Sequence, residues 1–456
     1  MPRALLWVIV LSLVIRVVYI VGAWRVKGES VFYEPDTVTY LEPARELLTS
    51  GTFGRRGEPE LQRTPGYPLF LVPAELSGHL TLAVLVSNVV LSACTVLGAY
   101  ALASRLFGDS RVGIAAAALY AIEPLSIAST GMIASESLFT AMATWALVLI
   151  VDYVRSERTR HLLSGIAVLA VAAYVRPAGY YLPFGLIALL GVAAVARRAW
   201  NRLPQLAWAA ALAVAVVLPW HLRNRALGYR GFSAAAGTIM YFANAAAVKA
   251  AREGVPFVEM QAAMGNLDNE RYFRLHPEQR AWRPGDRFSY MREQGAAIVG
   301  ENPALYARIH VAGMARVAFD PGAIALLRPY GLYPKAGGLL NRMVTYGLAN
   351  AIAYLFRTNL PATVVLLVLG ALLLTEYVLA LHAVLTRRRF LELSVLIVVA
   401  TIAYFIVIAG GPIGYGRFRH PAMPLVCALA ASGLLAAIER WRRVAEDPAQ
   451  PAAAAA

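Results

Sequence analysis

The sequence predicts an all-α, polytopic membrane protein, with about 10–12 transmembrane helices and two large segments on one face. Hydrophobic residues make up 59% of the 456 and charged residues only 15%, against roughly 45–50% and 25% in soluble domains. Mean hydropathy is +0.57. The charge is also placed tellingly, with arginines clustered between long apolar stretches. This composition excludes an ordinary cytosolic enzyme, a disordered chain and a secreted disulfide scaffold. Cys94 and Cys427 each lie inside an apolar run, where a thiol behaves as a small hydrophobe. Arginine supplies 39 of the 42 basic residues, which with the abundant alanine reads as the coding bias of a GC-rich bacterium.

About 20 mostly apolar residues cross a bilayer. That rule marks 4–24, 79–103, 112–130, 131–154, 161–175, 177–196, 205–220, 359–385, 391–409 and 421–441. The first stretch lacks a small-residue cleavage site and carries Arg16 near its middle, so it reads as an uncleaved anchor. Glu123-Pro124 through Gly131, and Arg176-Pro177, read as tight turns between antiparallel helices. Arg16 and Glu376 lie near the centres of their spans, where an ionisable group is costly. An ion pair inside the bundle accounts for them, and so does a transport pathway.

The loop arginines set the orientation. Arg105 and Arg111, then Arg155, Arg158 and Arg160, then Arg197, Arg198 and Arg202, then Arg387–Arg389, then Arg440, Arg442 and Arg443 all fall on one face. The positive-inside rule makes that face cytoplasmic, together with both termini. The +15 net charge is mostly this signal and needs no nucleic-acid partner. The expected organisation is an N-terminal membrane module, 1–220, with its first outer loop at 25–78. A periplasmic and interfacial segment follows at 221–358, polar around Gly265–Arg292 and amphipathic at 303–319 and 339–356. C-terminal spans fill 359–445, and 446–456 reads as a disordered cytoplasmic tail. The setting is a bacterial inner membrane.

Ionisable groups gather on the outer face: Glu34, Asp36, Arg63, Glu123, Glu136, Arg176, Arg223, Arg417, Arg419 and His420. Asp36 opens a helix running through Leu48. It could cap that helix, act as a general base, or hold a metal. Arg63, in Gln62-Arg63-Thr64-Pro65-Gly66-Tyr67-Pro68, stands where the chain re-enters the bilayer. It suits a lipid headgroup or a bidentate phosphate. Glu136 starts the fourth span, where an acid favours the helix dipole. Arg176-Pro177 and Pro219-Trp220-His221-Leu222-Arg223 are ordinary outer span ends for snorkelling arginine and interfacial Trp. Gly416-Arg417-Phe418-Arg419-His420-Pro421 puts two arginines outside against the charge rule, which an anion such as phosphate would justify.

In this order and on one face, these pieces resemble the C-fold (GT-C) glycosyltransferases of family 39. Those are the polytopic relatives of protein O-mannosyltransferases and of the lipid A aminoarabinose transferase. The matching pieces are Asp36 through Tyr40, Arg63-Thr-Pro-Gly-Tyr-Pro-Leu, Glu136 before Leu138-Phe139, Arg176-Pro177, Pro219-Trp220 with Arg223-Asn224, and Arg417-Phe418-x-x-Pro421-x-x-Pro424. Residues 225–355 match poorly. The resemblance implies that Asp36 is the catalytic acid and Glu136 the second carboxylate of the site. It implies Arg63, Arg417, Arg176 and Arg223 as contacts of the donor phosphate, with Tyr40, Tyr67, Glu34 and His420 as substrate contacts. Some relatives carry an acid, able to ligate a metal, where this chain has Gln62. A divalent ion is therefore left open, and no cofactor is expected with certainty.

The implied reaction moves a sugar from a polyprenyl-phosphate donor to a periplasmic acceptor, which could be protein, lipid or glycan. Charge developing on the leaving phosphate calls for fixed guanidinium groups, and the acceptor oxygen calls for a carboxylate. Single displacement inverts the anomeric centre. The rival class is a secondary transporter or lipid-linked sugar flippase, for which broken helices, midplane charges and paired repeats are the signature. Arg16 and Glu376 fit that class; no internal repeat does.

Overall fold

A computed structural model describes residues 2–332, 348–358, 360–386 and 391–446. Seven helices among these are long and apolar enough to cross a bilayer: Arg3–Lys27, Leu80–Phe107, Glu136–Ser156, Pro177–Ala196, Trp200–Ala226, Leu360–Leu385 and Gly416–Arg443. Ser110–Ile122 and Pro124–Thr130 form a pair bent by 58°, and Thr159–Val175 and Leu393–Ile408 are shorter apolar helices. All ten predicted spans are therefore helical, in a multi-pass bundle. The arginines at 387–389, residues 339–347 of the second amphipathic stretch and the tail from 447 onward lie outside the described residues.

The punctuation at Glu123-Pro124 differs from its expected role. It bends one span, and the chain reverses later, at Gly131–Ser135. Pro124 has no N–H to give to the carbonyl of Tyr120, four residues back. The Ser126 hydroxyl takes that carbonyl at 2.9 Å, while Glu123 caps the next turn by accepting from Ser126 N at 2.5 Å. Arg16 completes the repair. It donates to the freed Ala121 carbonyl at 2.8 Å and to the hydroxyls of Ser12, Ser92 and Ser126 at 2.7, 2.5 and 2.6 Å. Its place at mid-span is thus a stitch across a broken helix, since backbone freed in a membrane must find a partner. The ion pair expected for it is replaced by neutral acceptors, and Glu376, half-buried, lies in the field of Glu123 and Arg419.

The centre of the bundle is Glu136–Ser156 with the last span; 67% of the apolar window of each is buried, against 11% for Leu360–Leu385 at the rim. Small residues allow the close crossings, as usual between membrane helices. A methyl on Gly98 would come 2.8 Å from Thr144, and one on Gly165 3.0 Å from the Ala146 carbonyl. Leu11, Val14, Val86, Val90, Val192, Trp208, Leu367 and Val378 point outward, as a lipid-facing belt requires.

Loops predicted to share the outer face do meet. Ile133 N donates to Phe32 O at 3.0 Å, and the Tyr404 hydroxyl to Ala178 O at 2.5 Å. On the opposite face Arg105 pairs with Asp152 at 2.8 Å and Arg111 with Glu439 at 3.4 Å. The first outer loop contains the helix Thr37–Ser50, a two-stranded hairpin (Gly54–Arg55 with Glu58–Pro59) and the re-entry helix Gly66–Leu76. The second builds a small core of its own from Tyr241, Phe242, Met260, Met264, Tyr272 and Met291. The helix Pro303–Phe319 follows it.

Candidate active site

Arg63 is positioned from its backbone outward. The buried carboxylate of Glu60 accepts from Gln62 N at 2.6 Å and Arg63 N at 2.9 Å, fixing the turn. The second outer segment holds the same strand: Ser233 Oγ donates to Gln62 O at 2.6 Å and Ala234 N to Leu61 O at 2.8 Å. Just beyond, Gly66 lies against the end of Thr159–Val175, so closely that a methyl there would meet the Tyr174 carbonyl carbon at 2.6 Å. The guanidinium then spreads over the first helix. Nη2 is 2.6 Å from Asp36 Oδ1, Nε 2.8 Å from Thr39 Oγ1 and Nη1 3.1 Å from Tyr40 OH. Burial works against the Arg63 charge, but Tyr40 and Asp36 outweigh it and hold its pKa above the usual value.

Asp36 precedes the helix, yet its side chain caps nothing. Its backbone is already helical, at φ −76° and ψ −20°, so the carboxylate turns to Arg63 instead. With 48% of its side chain exposed, it is the accessible carboxylate beside the arginines.

Glu136 is the opposite case. It is 1% exposed, and its Oε1 receives Arg417 Nε at 2.5 Å and Arg176 Nη1 at 2.9 Å. Two guanidinium groups converge on one oxygen of this buried carboxylate, so it anchors them, while its Oε2 has no hydrogen-bond partner among the described residues. The other side of Arg417 faces Glu34, with Nη1 3.4 Å from Glu34 Oε2, and Arg328 Nη1 reaches the same oxygen at 3.6 Å. Tyr415 sits within this group: burial raises its hydroxyl pKa, Arg417 lowers it, and Glu136, Asp36 and Glu34 raise it. Tyr40 OH and Arg176 Nη1 each lie 3.4 Å from Ser135 Oγ, so the Arg63 and Arg417 clusters are joined through Ser135 and Arg176.

A cavity of about 710 Å³ opens beside it. Its walls are apolar, from Leu125, Met132, Ala312, Ala315, Phe319 and Leu366, and Glu34, Arg316, Arg328, Tyr415 and Arg417 lie on its polar side. Such a chamber suits a lipid with an anionic head.

Three predicted contacts stand elsewhere. Arg223 donates to the carbonyls of Glu60 at 2.6 Å and Phe53 at 3.0 Å and lies over the Trp220 ring at 4.4 Å, so it braces the first loop from behind. His420 is buried, with Nε2 3.0 Å from Tyr120 OH and Nδ1 3.3 Å from Thr140 Oγ1, because its 3-10 turn points it into the bundle. Tyr67 is fully buried beneath Tyr40, ring edge to face at 4.9 Å, and supports that residue from within. Arg419, from the same outer group, gives Nη1 to the carbonyls of Val317, Ala318 and Asp320 at 2.7, 2.9 and 2.9 Å, closing the end of Pro303–Phe319. Among the described residues no three His, Cys, Asp or Glu side chains converge on one point. With Gln62 neutral, the position beside Arg63 offers no carboxylate to a cation.

Residues 65–222 match the family described as dolichyl-phosphate-mannose-protein mannosyltransferase. No curated protein sequence matches the chain. Among solved structures, the chain is similar to the oligosaccharyltransferase AglB of Archaeoglobus fulgidus, in a complex with an inhibitory peptide and a dolichol-phosphate. Identity is 13% and the TM-score 0.51, over 97% of this chain and 52% of that one. A second structure of that enzyme, with Zn and sulfate, gives 15% and 0.50, over 96% and 50%. ArnT from Cupriavidus metallidurans, bound to undecaprenyl phosphate, is 17% identical at a TM-score of 0.40, over 97% and 79%. This chain spans about half the length of the archaeal enzyme it matches. The fold is that of the C-type membrane glycosyltransferases, as the motifs suggested.

Proposed function

We propose that this protein is a membrane glycosyltransferase that takes a sugar from a polyprenyl-phosphate donor and passes it, with inversion, to an acceptor on the periplasmic face of a bacterial inner membrane. The observation that carries this reading is the half-exposed Asp36 carboxylate, held 2.6 Å from Arg63. Its partner Arg63 is linked through Tyr40, Ser135, Arg176 and Glu136 to Arg417, which lines an apolar chamber large enough for part of a lipid. The dolichol-phosphate held by AglB and the dolichyl-phosphate sugar in the family description support the donor class.

In the proposed reaction the isoprenoid tail lies along the apolar wall and the phosphate meets Arg417 and Arg63. The acceptor oxygen attacks the anomeric carbon from the far side. The bond from that carbon to the phosphate oxygen breaks, and its electron pair stays on the phosphate. The acceptor proton passes to Asp36. Guanidinium groups fixed in advance stabilise the charge gained by the leaving phosphate more than that of the donor. Glu136 holds Arg417 and Arg176 in place from below. Of the two midplane charges that fit a transporter, Arg16 has a structural account in the bent span, and the outer cluster of acids and arginines favours the glycosyltransferase.

Thermal unfolding of the detergent-purified protein with and without undecaprenyl phosphate tests the donor. A ligand that binds only the folded state raises the melting temperature. The shift is expected in wild type and is expected to be lost in Arg63→Ala and Arg417→Ala. Absence of a shift in folded wild-type protein would remove this donor.

A further inference from the structure

Glu34 stands between two of the three arginines that line the chamber among the described residues. Its Oε2 lies between Arg417 Nη1 at 3.4 Å and Arg328 Nη1 at 3.6 Å, and all three residues line the cavity. Both contacts are longer than the 2.7–2.9 Å of a well-made charge-assisted hydrogen bond. The contrast on Arg417 itself is sharp, since its Nε meets Glu136 at 2.5 Å. One side of that guanidinium is locked, and the other is held loosely by a carboxylate that is itself 11% exposed. The backbone of Glu34 is pinned. Its N–H donates to Thr37 Oγ1 at 2.9 Å, and that hydroxyl donates to Ile133 O at 2.8 Å. The long contacts belong to the side chain alone.

We propose, resting on the donor reading above, that Glu34 is a built-in competitor for the lipid phosphate. In the absence of ligand its carboxylate neutralises Arg328 and Arg417. The phosphate of a polyprenyl donor displaces it, and after transfer it returns and helps expel polyprenyl phosphate. The need follows from charge. The donor is a phosphodiester with one negative charge, whereas the product is a monoester that can carry nearly two. Arginines tuned to the transition state therefore hold the product more tightly than the donor, and an internal anion keeps the product from trapping the enzyme. Arg328, more than half exposed and outside every sequence motif, becomes the second arm of the phosphate clamp.

The test is a binding titration of undecaprenyl phosphate into the protein in phosphatidylcholine nanodiscs, paired with steady-state turnover. Glu34→Gln keeps the shape and removes the charge; it is expected to lower Kd about tenfold and to lower kcat and the donor KM together. Glu34→Asp, which withdraws the carboxylate by one methylene, is expected to tighten binding less and serves should the amide variant fail to fold. Arg328→Ala is expected to weaken binding and to shrink the gain from Glu34→Gln in the double variant. Unchanged or weaker binding in both Glu34 variants, with wild type still binding, would overturn the competitor and leave the donor reading intact. If folded wild type does not bind undecaprenyl phosphate, the donor reading falls and the competitor with it. Inorganic phosphate and phosphatidylglycerol distinguish the source of the anion, and a response to either equal to that of undecaprenyl phosphate would overturn the assignment to this lipid.

Discussion

Arg417 reaches two carboxylates with two parts of one guanidinium, Glu136 Oε1 from Nε at 2.5 Å and Glu34 Oε2 from Nη1 at 3.4 Å. Burial separates their roles. Glu136 also holds Arg176 at 2.9 Å and lies deep in the bundle, whereas Glu34 lines the chamber.

Removing the charge of Glu136 leaves two guanidinium groups facing a neutral amide in a dry site. Breaking a buried pair by removing one partner costs about 3–5 kcal/mol. Glu136→Gln is therefore expected to lower the melting temperature and weaken undecaprenyl phosphate binding together. Differential scanning fluorimetry with the lipid titrated in checks both. Loss of turnover at unchanged stability would instead make Glu136 a reacting group.

Asp36→Asn is expected to behave in the reverse way. The side chain is half-exposed, so loss of its pair with Arg63 costs at most about 1 kcal/mol of stability. Loss of a general base costs about 10²–10⁴ in rate. Turnover by that variant should fall by that factor while its lipid-induced thermal shift persists.

Arg223→Ala separates a brace from a phosphate ligand. It removes the Arg223 donor from the Glu60 carbonyl, leaves the Phe53 carbonyl with Glu60 N alone at 3.2 Å, and uncovers Trp220. A loss of about 1–3 kcal/mol is expected for such unsatisfied groups. Limited proteolysis should show faster cleavage within 50–62. Lysine, a point charge without a planar fork, is expected to rescue little.

Much of this was legible in the sequence. The ten apolar stretches are helical, seven of them long enough to cross a bilayer, one as a bent pair and two as shorter helices. Asp36, Arg63, Glu136, Arg176 and Arg417 do come to one face, because loop order on a bundle follows from the span count. What the sequence concealed is direction. Arg417 and Arg419 are two residues apart in a 3-10 turn, yet one faces the chamber and the other caps Pro303–Phe319. His420 points inward from the same turn. A motif states which residue types are present and not which way each faces. Glu60 was missed although it lies three residues before Arg63, the spacing at which a carboxylate reaches forward to backbone N–H groups. Arg328 carried no signal, since its role arises only when 323–330 folds beside the first loop.

Gly66→Ala tests the closest approach in the site. The added methyl would meet Tyr174 and Val175 backbone within 2.7 Å, where only a shift of a whole helix makes room. Overpacking of this kind costs about 1–3 kcal/mol. The melting temperature should fall, and turnover should fall further than stability alone explains, because Arg63 moves with the helix.

That glycine contact also fixes how two arginine-bearing segments lie against each other. Gly66 is seated on Tyr174 and Val175, one residue before Arg176, so the arms bearing Arg63 and Arg176 are keyed together like the fixed jaw of a vice. Arg328 and the walls supplied by Ala312, Ala315 and Phe319 belong to the outer segment on the other side. That wall is stitched to both ends of the bundle, to the last span where Arg419 holds the Val317 carbonyl at 2.7 Å and to the first where Tyr330 OH holds the Tyr19 carbonyl at 2.7 Å.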